Sequence, residues 1–193
     1  VGTDMSVGKM STSIELTRAA KAKGLRAKLI ATGQTGLMLG EDGIALDAIR
    51  VDYASGAVEQ AVIRNAPDQD VLFIEGQGSL LNPGSTATLP LMRGAQPTHL
   101  ILVHKAGMTH IQHFSEFEIP SLSQVVELYE IAVWAGGTFA KTPVAGIALN
   151  TFGLSEEEAL KAIEEASQET SLPCTDVVRF GGISLLEQIL DDG

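Results

Sequence analysis

A glycine-rich run near the start of the sequence is the segment best suited to do chemistry. Gly2-Thr3-Asp4-Met5-Ser6-Val7-Gly8-Lys9 follows the pattern G-x-x-x-x-G-K, with five residues in place of four between the two glycines. In this pattern the backbone curls so that successive N–H groups converge on one anion, and the lysine and the following helix end add positive charge. A structural glycine turn with a solvated lysine is the alternative. We predict a phosphate-binding loop, whose cofactor-binding residues are Gly2, Thr3, Asp4, Ser6, Val7, Gly8, Lys9, Met10 and Ser11.

The residue after the lysine restricts what this loop can do. Nucleotide hydrolases place Ser or Thr there, and its hydroxyl ligates Mg²⁺. The position is Met10 in this chain, and a methionine cannot ligate a hard cation. Ser11 and Thr12 follow, but each further position turns about 100° around a helix. We therefore expect the loop to hold the phosphates of a carrier without cleaving them, and we predict no metal site.

A second chemical signal is Glu75-Gly76-Gln77-Gly78-Ser79-Leu80, which follows an apolar run. A carboxylate at a strand end beside a phosphate loop could accept a proton from a substrate amine, or hold Mg²⁺ through water. Gln77 could stabilise an oxyanion. We predict Glu75 and Gln77 as catalytic residues. The alternative for Glu75 is a carboxylate that caps the glycine turn through hydrogen bonds to its N–H groups.

Candidate substrate contacts lie at two other strand ends. Gln34, Thr35 and Gly36 follow one apolar run and could bind substrate through backbone N–H groups, although a tight strand-exit turn explains them nearly as well. His104 ends another run. We predict that these four residues contact the substrate.

Helices and strands that alternate along the chain must position these residues. Periodicity and turn residues predict helices over 9–23, 44–65, 121–135, 155–167 and 184–190. Apolar runs predict strands over 28–32, 71–75, 99–103, 144–149 and 176–180, with a loop over 79–97. Gly24 should end the first helix, and the Ser155/Glu158 pair should begin the fourth. The pattern predicts a three-layer α/β domain of the P-loop (Rossmann-like) type, with a mostly parallel sheet covered by helices on both faces.

Composition and charge narrow the function classes. The 193 residues suit one α/β domain, and a net charge of −11 would repel nucleic acid. The sequence has no apolar run of the roughly 20 residues that a membrane helix needs. Its single cysteine, Cys174, excludes an internal disulfide and favours a reducing cytoplasm. Six of the 13 basic side chains lie within the first 28 residues, against two of the 24 acidic ones, so this end suits a small phosphorylated ligand.

The glycine-rich motif has only Val1 before it. In a phosphate-loop fold a buried strand runs directly into the loop. We expect residues 1–193 to form one domain, the carboxy-terminal domain of a longer chain whose first strand and amino-terminal domain precede Val1.

Four segments resemble the DgcN family in order and spacing. They are Gly2-Thr3-Asp4 with Val7-Gly8-Lys9-Met10, then Ala31–Gly36, Glu75–Leu80 and Gly146–Thr151. That family, long catalogued as a domain of unknown function, pairs an amino-terminal Rossmann-like domain with a carboxy-terminal phosphate-loop domain. The resemblance covers nearly the whole chain as the second of these. It implies N-acetylation of D-glutamate from acetyl-CoA, with residues 2–10 holding the coenzyme's phosphates and the turns 33–36 and 75–78 flanking the reacting centre.

The chain departs from the family at two places. Members often have His after the Ser-Leu of the glutamate motif, where this chain has Leu81-Asn82. They often have an acidic residue and then Gly-Arg after the position of His104, where this chain reads Lys105-Ala106-Gly107-Met108. An arginine there would be a natural partner for a substrate carboxylate.

Three functions therefore stand side by side. The first is an acetyl-CoA-dependent N-acetyltransferase for an acidic amino acid. The second is a Mg-ATP-dependent ligase or kinase, because the motifs also resemble dethiobiotin synthetase, which has Thr after the lysine. The third is a non-catalytic nucleotide-sensing module. The expected partners are a small-molecule substrate and the amino-terminal part of the same chain, and a homo-oligomer stays open.

Overall fold

The computed structural model describes residues 1–191, in which α-helices alternate with strands. The helices are α1 (Lys9–Ala22), α2 (Gln34–Met38), α3 (Val51–Asn65), α4 (Thr88–Ala95), α5 (Leu122–Trp134), α6 (Glu156–Thr170) and α7 (Ile183–Asp191). The strands are β1 (Ala27–Ala31), β2 (Asp42–Gly43), β3 (Val71–Ile74), β4 (Leu100–Lys105), β5 (His110–Ile111), β6 (Phe114–Glu118), β7 (Val144–Asn150) and β8 (Cys174–Thr175).

Six of these strands form two parallel sheets, ordered β2-β1-β3 and β4-β7-β8, while β5 and β6 form a separate antiparallel hairpin. Residues 1–3 run parallel to β4: the Val1 carbonyl accepts from the Val103 N–H, and the Thr3 N–H donates to the Val103 carbonyl, both at 3.0 Å. An apolar groove of about 380 Å³ separates β3 from β4. The mostly parallel arrangement is confirmed, but it is divided into two sheets.

Alternate side chains of β4 and β7 point to opposite layers, as the period of a strand requires. Leu102 and Ile147 pack with α4 and α5 on one face. Val103 and Ala148 pack with α1 and α7 on the other. The predicted three-layer α/β architecture, with helices on both faces, is confirmed.

Two predicted helix ends are also confirmed. Gly24 follows α1 with a φ of 85°, in the left-handed region that glycine adopts without strain. Ser155 caps α6, where its side chain accepts from the Glu158 N–H and the Glu158 side chain accepts from the Ser155 N–H.

The predicted strand over 176–180 is wrong. Strand β8 ends at Thr175, and the next residues form a turn. The cause is the Asp176 carboxylate, whose Oδ1 accepts from the Val178 and Arg179 N–H groups at 3.0 and 3.1 Å. An aspartate that bonds to the backbone ahead of it favours a turn over an extended strand.

Three further local predictions needed correction. The helix expected from residue 44 begins at Val51, because the Ile44 and Leu46 N–H groups pair with the end of β1 and its following turn. The turn expected at residues 34–36 is the start of the short helix α2. The loop over 79–97 contains α4, which tolerates Pro90 because that residue lies in the first helical turn, where N–H groups have no intrahelical partner.

Candidate functional site

A cleft of about 620 Å³ brings together three segments that are far apart in the sequence. They are the phosphate loop with the start of α1, the turn after β1, and the turn after β3. Residues 46–54 and 84–90 form the remaining walls. The cleft lies at the carboxyl ends of β1 and β3, which is where parallel sheets usually bind ligands.

The loop presents unpaired backbone donors at the start of α1. Gly8 has a φ of 116°, which glycine adopts readily, and a Cβ there would lie 3.4 Å from Asn150 Nδ2. The N–H groups of residues 6–11 make no hydrogen bond to any described residue. Free N–H groups at a helix N-terminus, together with the helix dipole, form an anion-binding site.

Lys9 spans the loop from the first turn of α1. Its Nζ donates to the carbonyls of Asp4 and Met5, both at 2.6 Å. Burial lowers the pKa of Lys9 to about 8, although Asp4 and Glu75 act in the opposite direction. The side chain is therefore mostly protonated at neutral pH and holds the curl of the loop in place.

The first loop residues, Gly2, Thr3 and Asp4, are buried and are not among the residues that line the cleft. Asp4 accepts at Oδ1 from its neighbour's N–H and from Asn82 Nδ2, and at Oδ2 from the Gln112 N–H, all at 2.7 Å. The Tyr129 hydroxyl donates to the Gly2 carbonyl at 2.7 Å and accepts from the Leu80 N–H. The loop is thus anchored to the segment after β3, to the hairpin and to α5.

The position directly after Lys9, where nucleotide hydrolases have the hydroxyl ligand of Mg²⁺, is occupied by Met10. Met10 and Ser11 line the cleft. The Thr12 hydroxyl donates to the Gly8 carbonyl at 3.1 Å, and the Ser13 hydroxyl donates to the Lys9 carbonyl at 3.0 Å. Both hydroxyls are therefore held against the helix backbone.

Glu75 is 6% exposed, and its two carboxylate oxygens differ in their hydrogen-bond partners. Oε2 accepts from the Thr32 and Gly33 N–H groups at 3.0 and 3.2 Å. Oε1 makes no hydrogen bond within the described part of the chain, while the residue lines the cleft. The capping role weighed for this carboxylate is real, but it occupies only one oxygen.

Gln77 lies beside Glu75. A Cβ built on Gly33 would lie 3.0 Å from Gln77 Oε1 and 3.5 Å from Glu75 Oε1, so both side chains approach the same glycine. The structure therefore brings the two predicted catalytic residues together, next to the phosphate loop.

The predicted substrate contacts are divided between two places. Gln34 and Thr35 line the cleft, and Gln34 Nε2 donates to Asp47 Oδ2 at 2.8 Å. Gly36 is buried behind them, and a Cβ there would lie 2.9 Å from Glu75 Oε2. His104 instead lines a separate cavity of about 300 Å³ beside α5 and α6.

His104 contacts the phosphate loop through the side chain of Thr3. Its Nδ1 lies 2.9 Å from Thr3 Oγ1, and burial lowers its pKa to about 4, so the ring is neutral at pH 7. A role for His104 in substrate binding stays a prediction.

Sequence reasoning missed the residues that hold the loop from below. Asn150 Nδ2 donates to the Val7 carbonyl at 3.0 Å, and Asn82 holds Asp4. Tyr129 is fully buried in the core, and its hydroxyl also holds the loop. The position of Asn150 at a strand end was the one signal in the sequence.

Within residues 1–191, no group of three or more His, Cys, Asp or Glu side chains could hold a metal ion. No helix in this range is long and apolar enough to cross a membrane.

A family model described as a domain of unknown function, the DUF1611 P-loop domain, matches residues 1–186. The chain belongs to this family. A crystal structure of a DUF1611 protein from Anabaena variabilis is similar at 59% identity and a TM-score of 0.98, over 99% of this chain and 55% of that one. The resemblance inferred from the four motifs is thus confirmed.

Two curated relatives are named D-glutamate N-acetyltransferase. The one from Tritonibacter scottomollicae is 37% identical over 191 residues, and the one from Pseudoalteromonas is 36% identical over 190. Each match covers 98% of this chain and 56% of the relative, so the chain spans about half the length of these proteins.

A more distant likeness concerns the fold alone. Cobyrinic acid a,c-diamide synthase from Mycobacterium smegmatis, solved with an ATP analogue and magnesium, has a TM-score of 0.58 at 13% identity, over 97% of this chain and 89% of that one.

Proposed function

We propose that this chain is the phosphate-loop domain of an enzyme that transfers an acetyl group from acetyl-CoA to the amine of D-glutamate. The observation that carries the proposal is that the unpaired N–H groups of residues 6–11 lie beside the cleft that Glu75 lines. The names of the curated relatives supply the acceptor and the acyl group.

The loop residues fit the diphosphate of coenzyme A. The free N–H groups at the start of α1 and the ammonium of Lys9 are the donors that such a dianion requires. Met10 fits a diphosphate that is bound and not cleaved, because its side chain has no hydroxyl to ligate Mg²⁺.

The residues at the end of β3 fit the acyl transfer. Glu75 Oε1 removes one proton from the substrate ammonium, and the amine nitrogen attacks the thioester carbonyl carbon. The C–N bond forms, the C–S bond breaks, and the second proton lost from nitrogen ends on the coenzyme thiolate. The Gln77 side chain approaches the same glycine as Glu75, and its Nε2 is the proposed donor to the oxyanion.

The acceptor site needs more positive charge than the described cleft offers. Lys9 is the one cationic side chain among the cleft residues within 1–191, whereas D-glutamate carries two carboxylates. The rest of a longer protein, in which this chain is the carboxy-terminal domain, is the proposed source of further contacts. The substrate and that remaining part are the proposed partners, and the cytoplasm is the proposed compartment.

A Mg-ATP-dependent ligase is the second candidate, favoured by the free oxygen of Glu75 in the cleft. Carboxylate oxygens are the ligands that Mg²⁺ prefers. The two candidates differ in metal dependence.

Thermal unfolding of the full-length protein tests the proposal. A ligand at about 100 times its dissociation constant stabilises the folded state by about 2.7 kcal/mol. For a domain of this size that corresponds to about 5–11 °C. We expect this shift with acetyl-CoA in EDTA, and a smaller shift for the Lys9→Met variant. A shift that requires both ATP and Mg²⁺ would favour the ligase.

A further inference from the structure

A second cavity, of about 440 Å³, lies on the other side of the phosphate loop. Gly8 and Ser11 line both this cavity and the main cleft. The start of α1, with its unpaired N–H groups, therefore stands between two openings. A ligand whose phosphates bind there can extend into both.

We propose that this second cavity, which we call the nucleoside cavity, holds the 3′-phosphoadenosine end of coenzyme A. The inference rests on the proposed function. Coenzyme A carries its diphosphate in the middle, between the phosphoadenosine and the pantetheine arm. With the diphosphate at Gly8 and the acyl end beside Glu75 in the main cleft, the adenosine must leave on the opposite side. ATP carries its phosphates at one end and has no second arm to place.

The walls of the nucleoside cavity have the chemistry of a base-binding site. Phe152 and Val178 line it from two loops and are 86% and 68% exposed, so both present apolar surface to a ligand in the cavity. A purine offers a flat apolar face that stacks well on an exposed phenyl ring.

A positively charged side chain also lines the nucleoside cavity. Arg179 lines it and donates from one guanidinium nitrogen to the Leu154 carbonyl at 2.9 Å, which leaves its other N–H groups available. The carboxylate nearby, Asp176, is fully used by backbone and hydroxyl donors. In a chain of net charge −11, this cation suits the 3′-phosphate that distinguishes coenzyme A from ATP.

The cavity is held in shape by its own hydrogen bonds. Asp176 joins its two loops, because Oδ2 accepts from the N–H and hydroxyl of Thr151 while Oδ1 accepts from the turn that carries Arg179. Asn150 joins the cavity to the phosphate loop: its Nδ2 donates to the Val7 carbonyl, and its Oδ1 accepts from the Phe152 N–H, both at 3.0 Å. The nucleoside cavity and the anion site are thus joined by one set of hydrogen bonds.

Isothermal titration calorimetry of the full-length protein tests this assignment with coenzyme A, 3′-dephospho-coenzyme A and adenosine 3′,5′-bisphosphate. Phe152→Ala should weaken coenzyme A and the bisphosphate about tenfold or more. Arg179→Gln should weaken coenzyme A but leave the affinity for the 3′-dephospho compound unchanged. Phe180→Ala, in the same turn but outside the cavity lining, and Arg18→Gln, on the exposed side of α1, are matched controls that should bind as the wild type does.

Wild-type affinity of both cavity variants for coenzyme A would overturn the assignment. So would a loss of thermal stability in Phe152→Ala without any change in binding, since that result points to another part of the protein as the occupant. If either result accompanies acetylation of D-glutamate by the wild type, the proposed function stands and the cavity assignment alone fails. If the wild type does not bind coenzyme A at all, both fail.

Discussion

At the scale of single residues, the two carboxylate oxygens of Glu75 have different partners. Oε2 caps the turn after β1 through the Thr32 and Gly33 N–H groups, and Oε1 has no partner among residues 1–191. One side chain can therefore fix the shape of the cleft and also accept a proton in it. The cap explains why the carboxylate keeps a fixed orientation toward the loop.

Replacing the carboxylate by its amide separates these two roles. Glu75→Gln keeps an oxygen that can accept from the turn but loses the proton acceptor, so we expect kcat to fall about 100-fold or more. The KM for acetyl-CoA and the melting temperature should change little. Glu59→Gln, at an exposed position of α3 outside the cleft lining, is the control. Unchanged kcat at saturating substrates would remove Glu75 from the mechanism.

Lys9 makes coenzyme binding depend on pH. Burial lowers its pKa to about 8, so the free protein loses this positive charge as the pH rises through that value. A bound diphosphate favours the charged form and raises the pKa again, so binding should take up protons between pH 7 and 9 and weaken over that range. Calorimetry in two buffers of different ionisation enthalpy measures the uptake. The Lys9→Arg variant should show no such dependence, because arginine stays charged; a flat profile for the wild type would contradict the account.

At the scale of elements, sequence patterns predicted the helices and strands that are determined by residues within the same segment. The long apolar strands β4 and β7, and α6 with its Ser155 cap, were predicted because each pattern is complete within its own segment. The turn after β8 was not predicted. The Asp176 carboxylate accepts from backbone N–H groups ahead of it, so residues whose sequence is typical of a strand form a turn. The Asn82 and Gln112 contacts of Asp4 join segments 78 and 108 residues away, and no local pattern contains them.

Close packing of α3 on α4 gives a sharp test of the element geometry. A Cβ on Gly94 would lie 2.1 Å from the Ser55 carbonyl oxygen and 2.7 Å from Val58 Cβ, neither of which can swing away. Gly94→Ala should therefore lower the free energy of unfolding by about 1–3 kcal/mol. Gly56→Ala, within α3, meets nothing within 4 Å and should raise stability by about 0.5–1 kcal/mol. Urea titration of both variants measures the difference, and equal effects would show that the helices are not in contact there.

At the scale of the whole molecule, the groove between β3 and β4 is the main irregularity. Among residues 1–191 the edge of β3 that faces the groove is unpaired, while residues 1–3 run parallel to β4 and pair with Ile101 and Val103. We expect an extended segment that precedes Val1 in a longer chain to lie in this groove and join the two sheets. Pairing with the free edge of β3 and burial of the half-buried side chains of Leu72 and Ile101 would both favour it.

Stability measurements on chains of two lengths test this expectation. A chain extended upstream by about six residues, taken from a curated relative, should have a higher free energy of unfolding than residues 1–193. Six residues in β conformation span about 20 Å, which is long enough for the added segment to pair with a strand that borders the groove. An extension of equal length made of Gly and Ser is the control and should add nothing. Equal stability of all three chains would leave the groove to another occupant.

The central claim is that the phosphate loop holds a coenzyme for acyl transfer and takes no part in phosphoryl transfer. The most direct measurement incubates the full-length protein with acetyl-CoA and D-glutamate in EDTA, without ATP, and follows the products by mass spectrometry. We expect N-acetyl-D-glutamate and free coenzyme A in equal amounts. Product that forms only when ATP and Mg²⁺ are supplied, together with ADP, would contradict it.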